Sequence, residues 1–211
     1  MLDVKKFWQS ECDEHTAVHA ETAKTLLPAF EKMLGLSVDT IKGGGKILFF
    51  GNGGSAADAQ HLATELTVRF KTNRDPIAAI ALTTDTSALT AIGNDFGFDH
   101  LFSRQIAALG RKGDLAICIS TSGNSPNVLN AIAECKKQGI KTVCFTGKTG
   151  GKMQNLCDVT INVPSTTTAR IQEMHIMIGQ MLCGALEIAL GLVAETPVAK
   201  MATDASIAKT A

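Results

Sequence analysis

Between residues 46 and 163 the chain repeats one alternation: a short apolar run, a turn rich in glycine or hydroxyls, then a helical pattern. The runs are Lys46–Phe50, Ile77–Leu82, Asp114–Ile119, Lys141–Thr146 and Val159–Val163. Each is short and mostly apolar, and helical patterns separate them, so they read as strands of a parallel sheet covered on both faces. Helical patterns fill the intervals at Ser55–Phe70, Ser87–Ile92, Asp99–Leu109 and Pro126–Gln138, with a short turn near Lys152–Leu156 and a long helix over Ala169–Leu192. Strands joined through helices pair in parallel with right-handed crossovers. This predicts an α/β fold, a three-layer αβα sandwich on a five-stranded parallel sheet. Ligands in such sheets bind at the carboxyl ends of the strands, where helices begin.

Ahead of the first strand, residues 3 to about 42 carry apolar positions at Leu26, Leu27, Phe30, Met33, Leu34, Val38 and Ile41, a helical spacing. Pro28 should kink or divide that helix, and Gly43-Gly44-Gly45 should stop it. The expected division is a helical arm over 1–44 making oligomer contacts, one α/β domain over 45–194, and a flexible tail over 195–211. Hydrophobic residues make up 45%, enough for a sizeable core. Twenty Lys and Arg against 20 Asp and Glu leave no basic footprint for nucleic acid, so an anionic ligand needs a local site. Six cysteines without a CxxC pair read as reduced, buried thiols of a cytoplasmic protein, and no apolar run follows the first six residues as in a secretory leader. The apolar segment 176–193 is broken by Gln180 and Glu187 and reads as a buried or interface helix, not a membrane span.

Two strand-to-helix turns look like anion cradles: Gly51-Asn52-Gly53-Gly54-Ser55 and Ser120-Thr121-Ser122-Gly123-Asn124-Ser125. A helix N-terminus offers free N–H groups and a partial positive charge, and hydroxyls add donors without adding charge. Neither turn is a Walker A loop or a GxGxxG fingerprint. Either alone also reads as an ordinary capped turn, but two on one sheet favour phosphate. On the first helix His61 and Glu65 are four residues apart and share a face, a spacing for two metal ligands or for a solvated pair. On the last helix Gln172 and His175 share a face, with Gln180 about 80° round from Gln172. A lone His175 reads as structural. Thr84-Asp85 and Asn94-Asp95 could meet sugar hydroxyls from loops. Arg69 could pair with a phosphate or with a surface carboxylate.

These residues resemble the sugar isomerase (SIS) family, and within it the phosphoheptose isomerases. The resemblance rests on GNGGSAADAQHLATEL (51–66), TTDTSALTAIGNDFGFDHLFSRQ (83–105), STSGNSPNV (120–128), FTGKTGGKM (145–153) and TARIQEMHIMIGQMLC (168–183), in order over nearly all of 45–190. It implies a homotetramer of flavodoxin-like sandwiches that converts sedoheptulose 7-phosphate to D-glycero-D-manno-heptose 7-phosphate, a precursor of lipopolysaccharide or capsule heptose. It further implies substrate contacts from Asn52, Gly53, Gly54, Ser55, Glu65, Arg69, Asn94, Asp95, Ser120, Thr121, Ser122, Ser125 and Gln172. Zinc would be held by His61, Glu65, Gln172 and position 180. The family pattern R-I-Q-E-x-H-I-x-x-x-H ends in a histidine that is both ligand and acid/base, where this chain has Gln180. Glu65 would then be the remaining catalytic acid/base, with turnover and zinc affinity reduced. The alternative is a non-catalytic tetramer of the same fold, resembling a branch that binds the bacterial replication initiator. That branch lacks an acidic residue at the position of Glu65, which favours the enzyme.

Overall fold

A computed structural model describes residues 1–194, and the tail expected over 195–211 lies outside the described residues. Five parallel strands, β1 (Ile47–Gly51), β2 (Ala79–Ala81), β3 (Leu115–Ile119), β4 (Lys141–Gly147) and β5 (Val159–Val163), form one sheet in the order β2-β1-β3-β4-β5. This is the flavodoxin-like order, which reverses between β1 and β3. The helices are α1 (Val4–Thr25), α2 (Leu27–Lys42), α3 (Gly54–Thr67), α4 (Thr86–Asp95), α5 (Ser103–Leu109), α6 (Pro126–Gln138) and α7 (Thr168–Ala189). Single 3-10 turns cover Phe98–His100 and Lys152–Asn155.

Alternate strand residues feed two cores. Ile47, Phe49, Ile117, Phe145 and Ile161 pack under α2, α3 and α7, beside Met33, Leu62 and Met174. Leu48, Phe50, Ala116, Cys118 and Cys144 pack on the other face against Phe102, Ile106, Val128 and Ile132 of the α5–α6 side. The expected sandwich is therefore present. Pro28 stands in the first turn of α2, where its missing N–H costs nothing, and the long helix divides at Leu26. α1 stands largely clear of the sheet, packing on α7 and α2. Met33, Ser37 and Thr40 of α2 are buried in the body of the domain.

Three boundaries differ from expectation, each for a local reason. β2 pairs over three residues only, because Ile77 donates its N–H to the carbonyl of Leu66 at the end of α3 instead of to the sheet. α3 stops at Thr67, short of Phe70, since the carbonyls of its last turn are taken by Arg74. α7 stops at Ala189, where Gly191 turns left-handed at φ 72° and Leu192 N–H closes back on Glu187 O. The cysteines are free, but Cys12 is exposed and Cys157 half-buried, correcting the uniformly buried expectation. None of the described helices is long and apolar enough to cross a membrane.

His175 is wholly buried and structural. It lies against the Phe145 ring at 5.5 Å between centroids, and its Nε2–H donates to the carbonyl of Thr146 at 3.0 Å. That contact anchors the end of β4 to α7. Burial holds its pKa at about 4, below the ordinary 6.5, with the Thr146 bond opposing. The unfolded chain therefore binds a proton that the folded chain refuses. The contribution is complete above pH 6.5 and is lost as pH falls toward 4, at about 1.4 kcal/mol per unit. Urea unfolding at pH 7 and pH 4.5 checks this. His175→Gln, which keeps a donor for Thr146 and cannot titrate, should lose about 2–3 kcal/mol less than the parent over that interval.

Candidate active site

The reversal of strand order leaves a crevice above β1 and β3, and both predicted cradles border it. At the end of β1, Gly51 passes so close to β3 that a Cβ there would stand 2.6 Å from the carbonyl of Ile119. Gly53 then takes φ 57°, which favours glycine, and turns the chain into α3. At the end of β3, Gly123 takes φ 64° and lies under the carbonyl of Gly150 from the loop after β4. That loop buttresses the second turn through Met153 N–H to Gly123 O and Lys152 N–H to Asn124 Oδ1, both 3.1 Å.

The two turns are tied to each other. Asn52 and Asn127 exchange paired amide hydrogen bonds, each 2.9 Å, and Asn127 is 1% exposed. The hydroxyls of Ser120 and Ser125 bond at 2.9 Å across the mouth of the second turn. Ser55 is buried at the start of α3. The main-chain N–H groups of Gly53, Gly54, Thr121, Ser122 and Ser125 make no hydrogen bond to any other described residue. Five open donors at two helix starts, without a basic side chain in either turn, suit a phosphate monoester.

Two to three turns down α3, about 10 Å to His61 and about 16 Å to Glu65 by helix rise from Gly54, lies the second cluster. His61 Nε2 is 2.9 Å from Glu65 Oε1, and the Gln180 amide from α7 approaches His61 Nε2 at 3.5 Å. His61 is exposed and Glu65 half-buried. The residues meet because α3 and α7 run alongside one another with almost no gap. A Cβ on Gly179 would sit 2.5 Å from Leu62 Cδ1. Gln172, eight residues before Gln180, does not join them. It rests against Gly54 at the mouth of the first cradle.

The expected zinc ligands thus divide. His61, Glu65 and Gln180 converge and Gln172 stands apart, because more than two helical turns separate it from Gln180. Among the described residues no group of three or more His, Cys, Asp and Glu is placed to hold a metal. One imidazole, one carboxylate and a neutral amide are a weaker donor set than the three or four His, Cys or carboxylate ligands that zinc usually takes.

Other expected contacts are scattered. Asn94 and Asp95 fall in the last turn of α4, not in a loop. They are exposed and bond to each other, with Asn94 Nδ2 donating to Asp95 Oδ1 at 2.7 Å. Arg69 lies just beyond α3, exposed, with no ion pair to a described residue. Two residues went unsuspected in the sequence. Asp58 keeps a buried Oδ2 with no partner, and burial lifts its pKa to about 6 while His61 pulls it down. Its three-residue spacing from His61 was a legible signal. Asn127 had none, since its partner lies 75 residues away.

The SIS domain family profile matches residues 12–147. A phosphoheptose isomerase of Paramagnetospirillum magneticum is 54% identical over 181 residues, covering 86% of this chain and 94% of that protein. The solved phosphoheptose isomerase of Neisseria gonorrhoeae superposes with a TM-score of 0.83 at 44% identity, covering 88% of this chain and 99% of that one. That of Francisella tularensis gives 0.86 at 38%, covering 89% and 100%.

The amide pair makes the cradle testable with the simplest anion. Asn127→Ala strands the Asn52 amide and frees the two turns from one another. It should weaken inorganic phosphate binding about tenfold by NMR titration, the ~1.4 kcal/mol scale of one buried hydrogen-bonded contact.

Proposed function

Because the chain belongs to the phosphoheptose isomerases of the SIS family, we propose that it interconverts sedoheptulose 7-phosphate and D-glycero-D-manno-heptose 7-phosphate. One observation carries the reading. A phosphate cradle and an acid/base carboxylate stand on the same helix, about 16 Å apart by main-chain rise from Gly54 to Glu65, and a helical side chain such as Glu65 leans back toward the cradle end. Such a span suits a substrate whose phosphate and reacting carbons lie at opposite ends of its chain. The phosphate would take the open N–H groups of Gly53, Gly54, Thr121, Ser122 and Ser125, with hydroxyls of Ser55, Thr121 and Ser122. Asn52 and Ser120 hold the turns in place, and Gln172 faces the sugar beside Gly54.

The chemistry follows from the residues. Glu65 takes the proton from C1 of the ketose. The C–H electron pair becomes a C1–C2 double bond, and the C2 carbonyl oxygen takes up the negative charge. Return of the proton from Glu65 to C2, with the O1 proton passing to O2, gives the aldose. His61 orients Glu65 through the 2.9 Å contact. Gln180 can donate a hydrogen bond to the enediolate oxygen but has no proton to transfer near neutral pH. General acid–base groups contribute about 10²–10⁴-fold, so turnover is low by that order. Zinc, when bound, would polarise the carbonyl. His61 and Glu65 would be its strong ligands here and the Gln180 amide oxygen a poor one, so affinity is weak.

Exposed Phe7 and Trp8 on α1 and Met181 and Ile188 on α7 support a homotetramer. Asn94, Asp95 and Arg69 then face a neighbouring subunit's substrate. The product would feed heptose assembly in the cytoplasm.

Restoring the missing group tests the reading. Gln180→His should raise aldose formation from sedoheptulose 7-phosphate by about 10²–10⁴-fold and tighten zinc binding measured by competition with a chelator. No gain in either would favour the scaffold that binds the replication initiator.

A further inference from the structure

Arg74 sits in the loop between α3 and β2, outside every motif above. Its side chain is only 1% exposed and that of Glu187 on α7 only 3%. Arg74 Nε donates to Glu187 Oε1 at 2.7 Å. Its two terminal nitrogens reach main-chain carbonyls: Nη2 donates to Glu65 O at 2.8 Å, and Nη1 to Leu66 O, Val68 O and Asp75 O at 2.8, 3.3 and 3.0 Å. Glu187 Oε1 also accepts the N–H of Phe70 at 3.1 Å.

The last carbonyls of a helix have no partner within it, and its last turn frays. Glu65 stands in that last turn of α3. A cation at a helix C-terminus meets both the open carbonyls and the negative end of the dipole. Arg74 satisfies two of those carbonyls, one of them belonging to Glu65 itself. Through Glu187 it pins this turn to α7 at a point seven residues beyond Gln180, two turns along the same face. Glu65 and position 180 are thus held in register from below, while Leu62 against Gly179 holds them from the side.

We propose that Arg74, fixed by Glu187, is a positioning residue for the acid/base carboxylate of Glu65. It touches no substrate. It acts by stopping the last turn of α3 from fraying and by setting that turn's height against α7. Lysine cannot replace it, because one ammonium cannot serve Glu187 and several carbonyls in different directions. The proposal rests on the isomerase reading, and its test separates the two.

Arg74→Lys and Glu187→Gln are made in the Gln180→His chain, with Asp114→Asn as a control. Asp114 bonds Lys46 and Arg111 at the amino-terminal ends of β1 and β3, the end of the sheet away from the crevice. Steady-state kinetics with sedoheptulose 7-phosphate, thermal melting, and hydrogen exchange over residues 61–70 are compared. Arg74→Lys should lower kcat about 10–100-fold, the scale of an ångström-sized misplacement. KM, set at the far end of α3, should change less than about threefold. Exchange at 61–70 should accelerate. Glu187→Gln, which keeps an acceptor for Arg74, should do the same more weakly and serves if Arg74→Lys fails to fold. Asp114→Asn should lower Tm without lowering kcat. Unchanged kcat in Arg74→Lys, or an equal fall of kcat in Asp114→Asn, overturns the proposal. Should the Gln180→His parent show no turnover, the isomerase reading fails and exchange decides. Acceleration confined to 61–70 then upholds the clamp, and no acceleration overturns it.

Discussion

Leu62 occupies the space that a side chain at position 179 would fill. That single close approach decides how near α3 and α7 come, and the candidate site depends on it. α3 brings His61 and Glu65, α7 brings Gln180, and the two faces meet only because Gly179 presents no Cβ. The neighbouring contacts follow the same line: Gln172 on Gly54 above, Cys183 against the carbonyl of Leu62, and Glu187 reaching Arg74 below. A helix pair packed this tightly transmits small displacements, since close-packed interiors have little slack.

The same helix links the two functions of the crevice. Its first turn borders the glycine turn after β1, and its second half carries His61 and Glu65. The cradle is rigid for reasons of polar satisfaction: the Asn52–Asn127 pair leaves neither amide wanting, and the loop after β4 covers the back of the second turn. His175 anchors that loop's strand to α7 from the interior. Buried polar contacts therefore fix the geometry of both turns.

Most of the fold was legible because its signals are local. The runs Ile47–Phe50 and Leu115–Ile119 are apolar on both faces, and Pro126 and Gly139 mark both ends of α6. Where boundaries shifted, a distant partner intervened. Ile77 left the sheet for Leu66, and α3 ended where Arg74 folds back on it. The site divided the same way. His61 and Glu65 announced themselves by spacing, and the turns by their glycines and hydroxyls. Asn127 and Arg74 carried no such signal, because each acts through a partner far along the chain. Gln172 and Gln180 share a helix yet lie against different parts of α3, Gly54 and His61, a consequence of rise per residue. Asn94 and Asp95, expected in a loop, extend α4 by a turn, since Asp85 caps its start through Ala88 N–H and the helix runs on from there.

The central claim is that this chain retains the carboxylate that removes the C1 proton while lacking an efficient partner to complete the transfer. Isotope exchange reads that directly. Sedoheptulose 7-phosphate incubated with the protein in deuterium oxide should gain deuterium at C1 faster than aldose accumulates, and Glu65→Gln should abolish the gain. Bound substrate that never exchanges, or exchange that survives Glu65→Gln, would contradict the account.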